Sequence, residues 1–148
     1  MPSTSDHVEA IAGILADYRE GEIAPPDPDH VGRWLRQFDR SVRDDFIAEL
    51  RHVLKITYLS RSTVEAYLAQ LMVKKEVAGD DPAAFWRRAN FLDIQENGRS
   101  QHDILKVFGK VLRTSLKLKL GDCGGDGDFV YLDDILFSGN RVASTRFS

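Results

Sequence analysis

The stretch from Phe129 to Arg141 reads FVYLDDILFSGNR and decides the fold class. Residues 129–132 form a continuous apolar run, which is typical of a strand buried on both faces. Asp133 and Asp134 follow it directly, and Ser138-Gly139-Asn140 comes next as a sequence that can turn sharply. Because ligands of open α/β sheets gather at the carboxyl ends of the strands, this stretch predicts an α/β fold with a ligand site after this strand.

The acidic pair and the loop suit two parts of one ligand. Two adjacent carboxylates supply acceptor oxygens for the paired hydroxyls of a ribose or for a hydrated magnesium ion. The backbone N–H groups of a tight turn bind anions, and the N-terminus of a following helix would add positive charge. Together these features predict a binding site for a sugar phosphate.

The region before this stretch predicts the rest of an α/β unit. Residues 91–94 are typical of a strand, residues 96–100 of a turn, and the apolar residues between Ile104 and Leu112 of a helix. Leu116, Leu118 and Leu120 alternate with lysines, which favours an edge strand with one wet face. Residues 121–128, rich in glycine and aspartate, are predicted to form an acidic loop, which lacks the ligand order of an EF-hand calcium site.

The first half of the chain predicts helices. Apolar residues recur there at helical spacing in four successive segments, with Asp29 as the expected cap of the second and Ser62 and Glu65 as the capping box of the fourth. We therefore expect a helical N-terminal segment over residues 1–80 and an α/β unit over residues 81–148. A single mixed domain is equally compatible with the pattern.

Composition narrows the class of protein. The 148 residues carry a net charge of -3, so the protein has no overall positive charge that would attract nucleic acid. Direct nucleic-acid binding is therefore disfavoured. The lone Cys123 supports neither a disulfide nor a cysteine zinc site, the four histidines lack metal-ligand spacing, and no residue is assigned as a metal ligand. With no signal peptide and no run of roughly 18 apolar residues, we expect a cytoplasmic protein that does not contact membranes.

The stretch quoted first resembles the signature of the phosphoribosyltransferases: an apolar strand, two acidic residues, two apolar residues and a Ser/Thr-Gly turn. The resemblance implies a Rossmann-like sheet in which Asp133 and Asp134 hold the ribose hydroxyls. The 5′-phosphate would lie on residues 137–141, including Ser138, Gly139, Asn140 and Arg141. If the domain is active, its donor would be phosphoribosyl pyrophosphate with Mg²⁺.

Three positions depart from the usual signature. Tyr131 and Phe137 stand where the family has smaller residues, and Asn140-Arg141 replaces the usual threonine ending. In this form the motif is similar to a divergent branch, the phosphoribosyltransferase-like domains of bacterial conflict and anti-phage systems.

A second loop of the family binds pyrophosphate, and residues 97–100 correspond to it. By that resemblance Arg99 would pair with phosphate and Ser100 would cap the following helix; the alternative is a plain turn and cap. The family fold also continues beyond its ribose-phosphate loop, whereas only residues 142–148 follow here. We therefore expect an incomplete sheet, either in a fragment or split protein, or completed by a partner.

These observations favour a phosphoribosyltransferase-like domain that binds a phosphoribosyl or nucleotide ligand and a protein partner, with its enzymatic activity left open. The alternative is a non-catalytic protein-interaction module in which the loop is a relic. A magnesium-dependent phosphohydrolase would need further charged residues at other strand ends, and none is identified.

Overall fold

The computed structural model describes residues 2–94 and 99–133. The chain divides into two compact units, Met1–Val64 and Glu65–Ser148. The sequence predicts a domain boundary between residues 80 and 81. This boundary stays a prediction, because a division into compact units does not establish where a domain ends. Within the described ranges, no helix has both the length and the apolar character that crossing a bilayer requires.

The first unit is helical, as predicted. It contains α1 (Thr4–Ile14), α2 (Pro28–Leu35), a 3-10 turn (Arg40–Val42), α3 (Arg43–Thr57) and the start of α4 (Arg61–Met72). Ser3 and Asp6 form a capping box on α1, and the Asp27 carboxylate accepts from the backbone N–H of His30 at 2.6 Å. The prediction of Asp29 as the cap of α2 is wrong: Pro28 occupies the first turn, so the residue before it is the cap.

The core of this unit lies where α1 packs against α2 and α3. Its buried residues are Val8, Ile11, Ala12, Val31, Leu35 and Ile47. The ring of Phe38 lies 5.1 Å from that of Trp34 and 4.4 Å from that of Phe46 between centroids. These three aromatic side chains therefore pack against one another in the helical unit.

A cavity of about 300 Å³ opens among these helices. Its lining consists of Ile11, Leu15, Tyr18, Ile23, Pro26, His30, Val31, Trp34, Leu50 and Leu54. Eight of these ten side chains are apolar, and the exceptions are Tyr18 and His30. The cavity wall therefore offers few polar groups that could orient a sugar phosphate. The candidate site for such a ligand therefore lies in the second unit.

One carboxylate of the first unit stabilises the start of α4. Asp17 accepts a hydrogen bond from the Tyr58 hydroxyl at 2.7 Å and from the Arg61 backbone N–H at 2.5 Å. The Tyr58 hydrogen bond holds the pKa of Asp17 below its usual value, while burial, and then this carboxylate, raise the pKa of Tyr58 to about 12. Asp17 thus acts as a cap from a distant part of the sequence.

The predicted capping box of α4 is wrong in register. The hydroxyl of Ser60 accepts from the backbone N–H of Thr63 at 3.1 Å, so the capping side chain precedes Ser62. Glu65 pairs instead with Lys110 at 2.7 Å. A serine at either position fits the helix-start pattern, and the structure places the capping hydroxyl at Ser60.

The second unit confirms the α/β class, with a parallel sheet after the helical segment. After the rest of α4 come α5 (Lys75–Ala78), α6 (Pro82–Arg88), β1 (Asn90–Leu92), α7 (Ser100–Leu116), a 3-10 turn (Leu120–Asp122) and β2 (Phe129–Tyr131). The two strands are parallel and are joined through α7. Such a connection is the strand-helix-strand unit of α/β folds, and a sheet of two described strands is consistent with an incomplete one.

The predicted edge strand at residues 116–120 is wrong. Leu116 ends α7, Lys117 adopts a left-handed conformation with φ 59°, and Leu120 begins a 3-10 turn. Leu112 and Leu116 are also four residues apart, so the same leucines continue the helical period of α7. An alternation that rests on three residues cannot override that longer pattern.

The aromatic core of this unit holds β1 against α7. The Trp86 ring lies 5.1 Å from Phe108 of α7 and 6.0 Å from Phe91 of β1. Its indole N–H donates to the Met72 carbonyl at 2.7 Å, which satisfies the polar atom of a side chain that is only 3% exposed. This packing fixes the strand on which one side of the candidate site is built.

Candidate functional site

The carboxyl ends of β1 and β2 lie at one edge of the sheet. The register pairs Leu92 with Tyr131, so the chain leaves both strands at the same level. Asp93 follows β1, and Asp133 follows β2 after one intervening leucine. Neighbouring strands are about 4.8 Å apart, so groups that follow these two strand ends are close enough to act on one ligand.

Tyr131 orients the carboxylate of Asp133. Residues two apart on an extended chain share a face, and the Tyr131 hydroxyl donates to Asp133 Oδ2 at 2.5 Å. Both side chains are half-buried. The larger residue noted at position 131 therefore has a polar function in addition to packing in the strand.

The predicted site residues fall into two groups. Asp133, Arg99 and Ser100 lie in the described part of the chain, at the carboxyl edge of the sheet or at the start of α7. Asp134, Ser138, Gly139, Asn140 and Arg141 lie outside the described residues. The ligand-binding roles of both groups stay predictions.

The start of α7 lies directly after the connection from β1. Ser100 is the first helical residue and Arg99 occupies the cap position, where its backbone carbonyl accepts from the Asp103 N–H at 2.9 Å. Ser100, the residue expected to cap the helix, therefore lies one residue after the cap position. The first-turn N–H groups of a helix carry partial positive charge, so this end of α7 suits an anion.

Two side chains in the first turn of α7 hold the end of β1. The Gln101 amide accepts from the Ile94 N–H and donates to the Leu92 carbonyl, both at 2.9 Å. His102 Nδ1 lies 3.3 Å from Asp93 Oδ2. Together they tie the strand end to the helix start.

The sequence interpretation missed Gln101, although a signal was present. Gln101 precedes Leu105 by four residues and Phe108 by seven, so it lies on the apolar stripe of α7. A polar residue on such a stripe needs a buried partner, and the strand end before the helix was within reach.

The opposite edge of the sheet is held by Asn90. Its side-chain amide donates to the carbonyls of Gly125 at 3.1 Å and Gly127 at 2.9 Å, and its Oδ1 accepts from the Gly125 N–H at 3.1 Å. Asp126 pairs with Arg88 at 2.8 Å. The acidic loop is therefore pinned to the amino end of β1, away from the carboxyl edge.

Within residues 2–94 and 99–133, no three His, Cys, Asp or Glu side chains are grouped so as to hold a metal ion. Asp93 and Asp133 are the carboxylates that follow the two strands. Magnesium in phosphate-binding sites commonly uses one or two carboxylates and takes its other ligands from water and the substrate. The carboxylate chemistry of these two residues suits such a site, and Mg²⁺ binding itself stays a prediction.

Comparison with known proteins gives one result. A family model described as PRTase-CE matches residues 31–146. The match covers most of the chain and includes α7 and both strands. A search of the curated proteins and a search of the solved structures gave no match.

Proposed function

Because the chain belongs to the PRTase-CE family and is a phosphoribosyltransferase-like domain, we propose that it binds a phosphoribosyl or nucleotide ligand at the carboxyl edge of β1 and β2. The parallel register that pairs Leu92 with Tyr131 carries this proposal. It brings the start of α7 and the acidic residue after β2 to one edge of the sheet, where α/β folds bind ligands.

The ligand would be held at three points. Asp133 and Asp134 would accept hydrogen bonds from the ribose hydroxyls, and Ser138, Gly139, Asn140 and Arg141 would bind the 5′-phosphate. The hydrogen bond from Tyr131 supports the first of these roles, since it fixes one oxygen of Asp133 and so orients the carboxylate.

The third point is the pyrophosphate or second phosphate group. Arg99 and Ser100 stand at the start of α7, where the helix dipole and the guanidinium group both favour an anion. The bonds of Gln101 and His102 to the end of β1 support this role, because they hold the helix start next to the strand end.

If the domain is an enzyme, its reaction would be phosphoribosyl transfer from phosphoribosyl pyrophosphate. The bond between the anomeric carbon and pyrophosphate would break, and the bond to an acceptor nucleophile would form at that carbon. Mg²⁺, held by Asp133 with water and the donor, would supply charge neutralisation of the leaving pyrophosphate. The protein would contribute positioning, and its carboxylates would stabilise the positive charge that develops on the ribose ring.

The biological setting that we propose is bacterial defence, with a protein partner for the helical region. The support is the motif from Asp133 to Asn140, which is similar to the divergent branch found in conflict systems. Phage plating on cells that carry the wild-type gene or the Asp133→Asn, Asp134→Asn variant tests the setting. Equal plating efficiencies would count against it.

The binding proposal is tested by isothermal titration with phosphoribosyl pyrophosphate and ribose 5-phosphate, with and without Mg²⁺. We expect saturable binding that the double variant Asp133→Asn, Asp134→Asn loses. The matched control is Asp126→Asn with Asp128→Asn. It removes the same charge just before Phe129, at the amino end of β2, and should retain binding. Absence of binding to folded wild-type protein would favour the non-catalytic interaction module.

A further inference from the structure

The side chain of Gln101 is buried to 0% exposure in the first turn of α7. It shares the apolar stripe of that helix with Leu105 and Phe108, which are also buried. A polar group in such a place is costly unless its donors and acceptors are paired, and here both ends of the amide are paired. These hydrogen bonds therefore account for a polar residue at this buried position.

Those bonds go to the two residues on either side of Asp93. The amide oxygen accepts from the Ile94 N–H and the amide nitrogen donates to the Leu92 carbonyl, each at 2.9 Å. A residue of a parallel strand bonds to its neighbour in the same way, through one N–H and one carbonyl that are two residues apart. The Gln101 side chain thus imitates one residue of a neighbouring strand.

The hydrogen bonds of Gln101 lie at the point where the pairing of β1 with β2 stops. In β1 the Asn90 N–H donates to the Asp128 carbonyl, so alternate N–H groups of this strand face β2. Continuing that alternation, the Ile94 N–H would donate to the carbonyl of Leu132. It donates to Gln101 instead, and the pairing of the strands stops at Leu92 and Tyr131.

We propose that Gln101 is a positioning residue of the ligand site. It ends the pairing of β1 with β2 and holds Asp93 beside the start of α7. This inference rests on the proposed function, in which the pyrophosphate half of the ligand lies at β1 and α7, and it assigns Gln101 to that half as the residue that fixes its two sides. The bond between His102 and Asp93 is a second tie on the same side.

The substitution Gln101→Met tests the assignment, because methionine has a similar volume and lacks both hydrogen bonds. Titrations with pyrophosphate and with ribose 5-phosphate, both with Mg²⁺, measure the two halves separately. We expect the affinity for pyrophosphate to fall about tenfold and the affinity for ribose 5-phosphate to change less than about twofold. Gln70→Met makes the same change on the exposed face of α4 and should alter neither.

Equal losses for both ligands would show a general structural role and would overturn the inference, as would no loss for either. Failure of the wild type to bind either ligand would instead refute the proposed function, and this assignment with it. Amide hydrogen exchange of the wild type gives a readout without ligand and without a variant. The Ile94 N–H should be protected; exchange at the rate of an exposed amide would overturn the inference.

Discussion

The hydroxyl of Tyr131 donates a hydrogen bond to Asp133 Oδ2 at 2.5 Å, across one face of the chain as it leaves β2. A carboxylate held in this way presents its other oxygen in a defined direction. The relationship also gives the tyrosine at position 131 a polar role in addition to its packing in the strand. It gives the first prediction.

Replacing Tyr131 by phenylalanine removes this hydroxyl and keeps the aromatic ring in the strand. We expect the affinity for ribose 5-phosphate to fall by roughly threefold to tenfold, the effect of losing one hydrogen bond that orients a charged group. Isothermal titration measures the change. Tyr67→Phe, at an exposed position of α4, is the control; an equal loss there, or an unchanged affinity in Tyr131→Phe, would contradict the prediction.

Asp17 makes stability depend on acid pH. Its pKa is lowered from 3.8, first by the hydrogen bond from Tyr58, so its ionised form is favoured in the folded state. That contribution is present above the unfolded pKa and is lost as the pH falls through the folded value. We expect the Tm of the wild type to fall more steeply below about pH 4 than that of Asp17→Asn. Asp29→Asn should keep the wild-type slope.

Tyr58 makes stability depend on alkaline pH. Its pKa is raised from 10.0 to about 12, so the neutral hydroxyl is favoured in the folded state. The contribution is present below the unfolded pKa and is lost as the pH rises from about 10 through about 12. An absorbance titration should show a tyrosine that ionises near pH 12, and this step should be absent in Tyr58→Phe. Its persistence in that variant would reassign it.

Trp86 should be far more important for stability than Trp34. Trp86→Phe leaves the Met72 carbonyl without its indole donor and leaves a cavity beside Phe108, so we expect a loss of about 2–4 kcal/mol in the free energy of unfolding. Trp34 is 41% exposed, and Trp34→Phe should cost less than about 1.5 kcal/mol. Urea unfolding followed by circular dichroism measures both, and equal losses would refute this ranking.

Two glycines should respond to alanine in opposite directions. A Cβ at Gly127 would lie 2.6 Å from the Arg88 carbonyl oxygen, which is backbone and cannot rotate away, so Gly127→Ala should destabilise the protein. Nothing lies within 4 Å of a Cβ at Gly13 in α1. Gly13→Ala should therefore stabilise the protein by roughly 0.5–1 kcal/mol. Thermal unfolding of the two variants measures the signs.

The sequence allowed prediction of β2 and of the helices, because a continuous apolar run and a helical stripe are both local patterns. The expected burial of β2 on both faces is wrong, since Phe129 is 60% exposed and Val130 and Tyr131 are half-buried. The apolar run that begins at Phe129 and the stripe through Phe108 are visible without any knowledge of their partners. The caps were harder to predict, since Asp29 and Ser62 have the right chemistry but lie about one or two residues from the true helix starts. Local chemistry allows several caps, and packing selects one of them.

The class of the candidate site could be proposed from the sequence, whereas its supporting contacts could not. Asp133 is proposed as a site residue from the strand and the acidic pair that follow one another in the sequence. The roles of Gln101 and Asn90 depend on parts of the chain that only the parallel pairing brings close. An amide side chain has no pattern of its own, so its function appears only with its partners.

The two parallel strands lie on either side of α7 along the chain, and this has a consequence for the order of folding. A hairpin can form as soon as its second strand exists, whereas β2, the partner that pairs with β1 in the described part of the chain, is synthesised only after the whole of α7. Pairing over such a sequence separation is slow compared with helix formation. The ligand site would therefore be completed late, after α7, and a nascent chain that stops before Phe129 would contain α1 to α7 and lack the half of the site that follows β2.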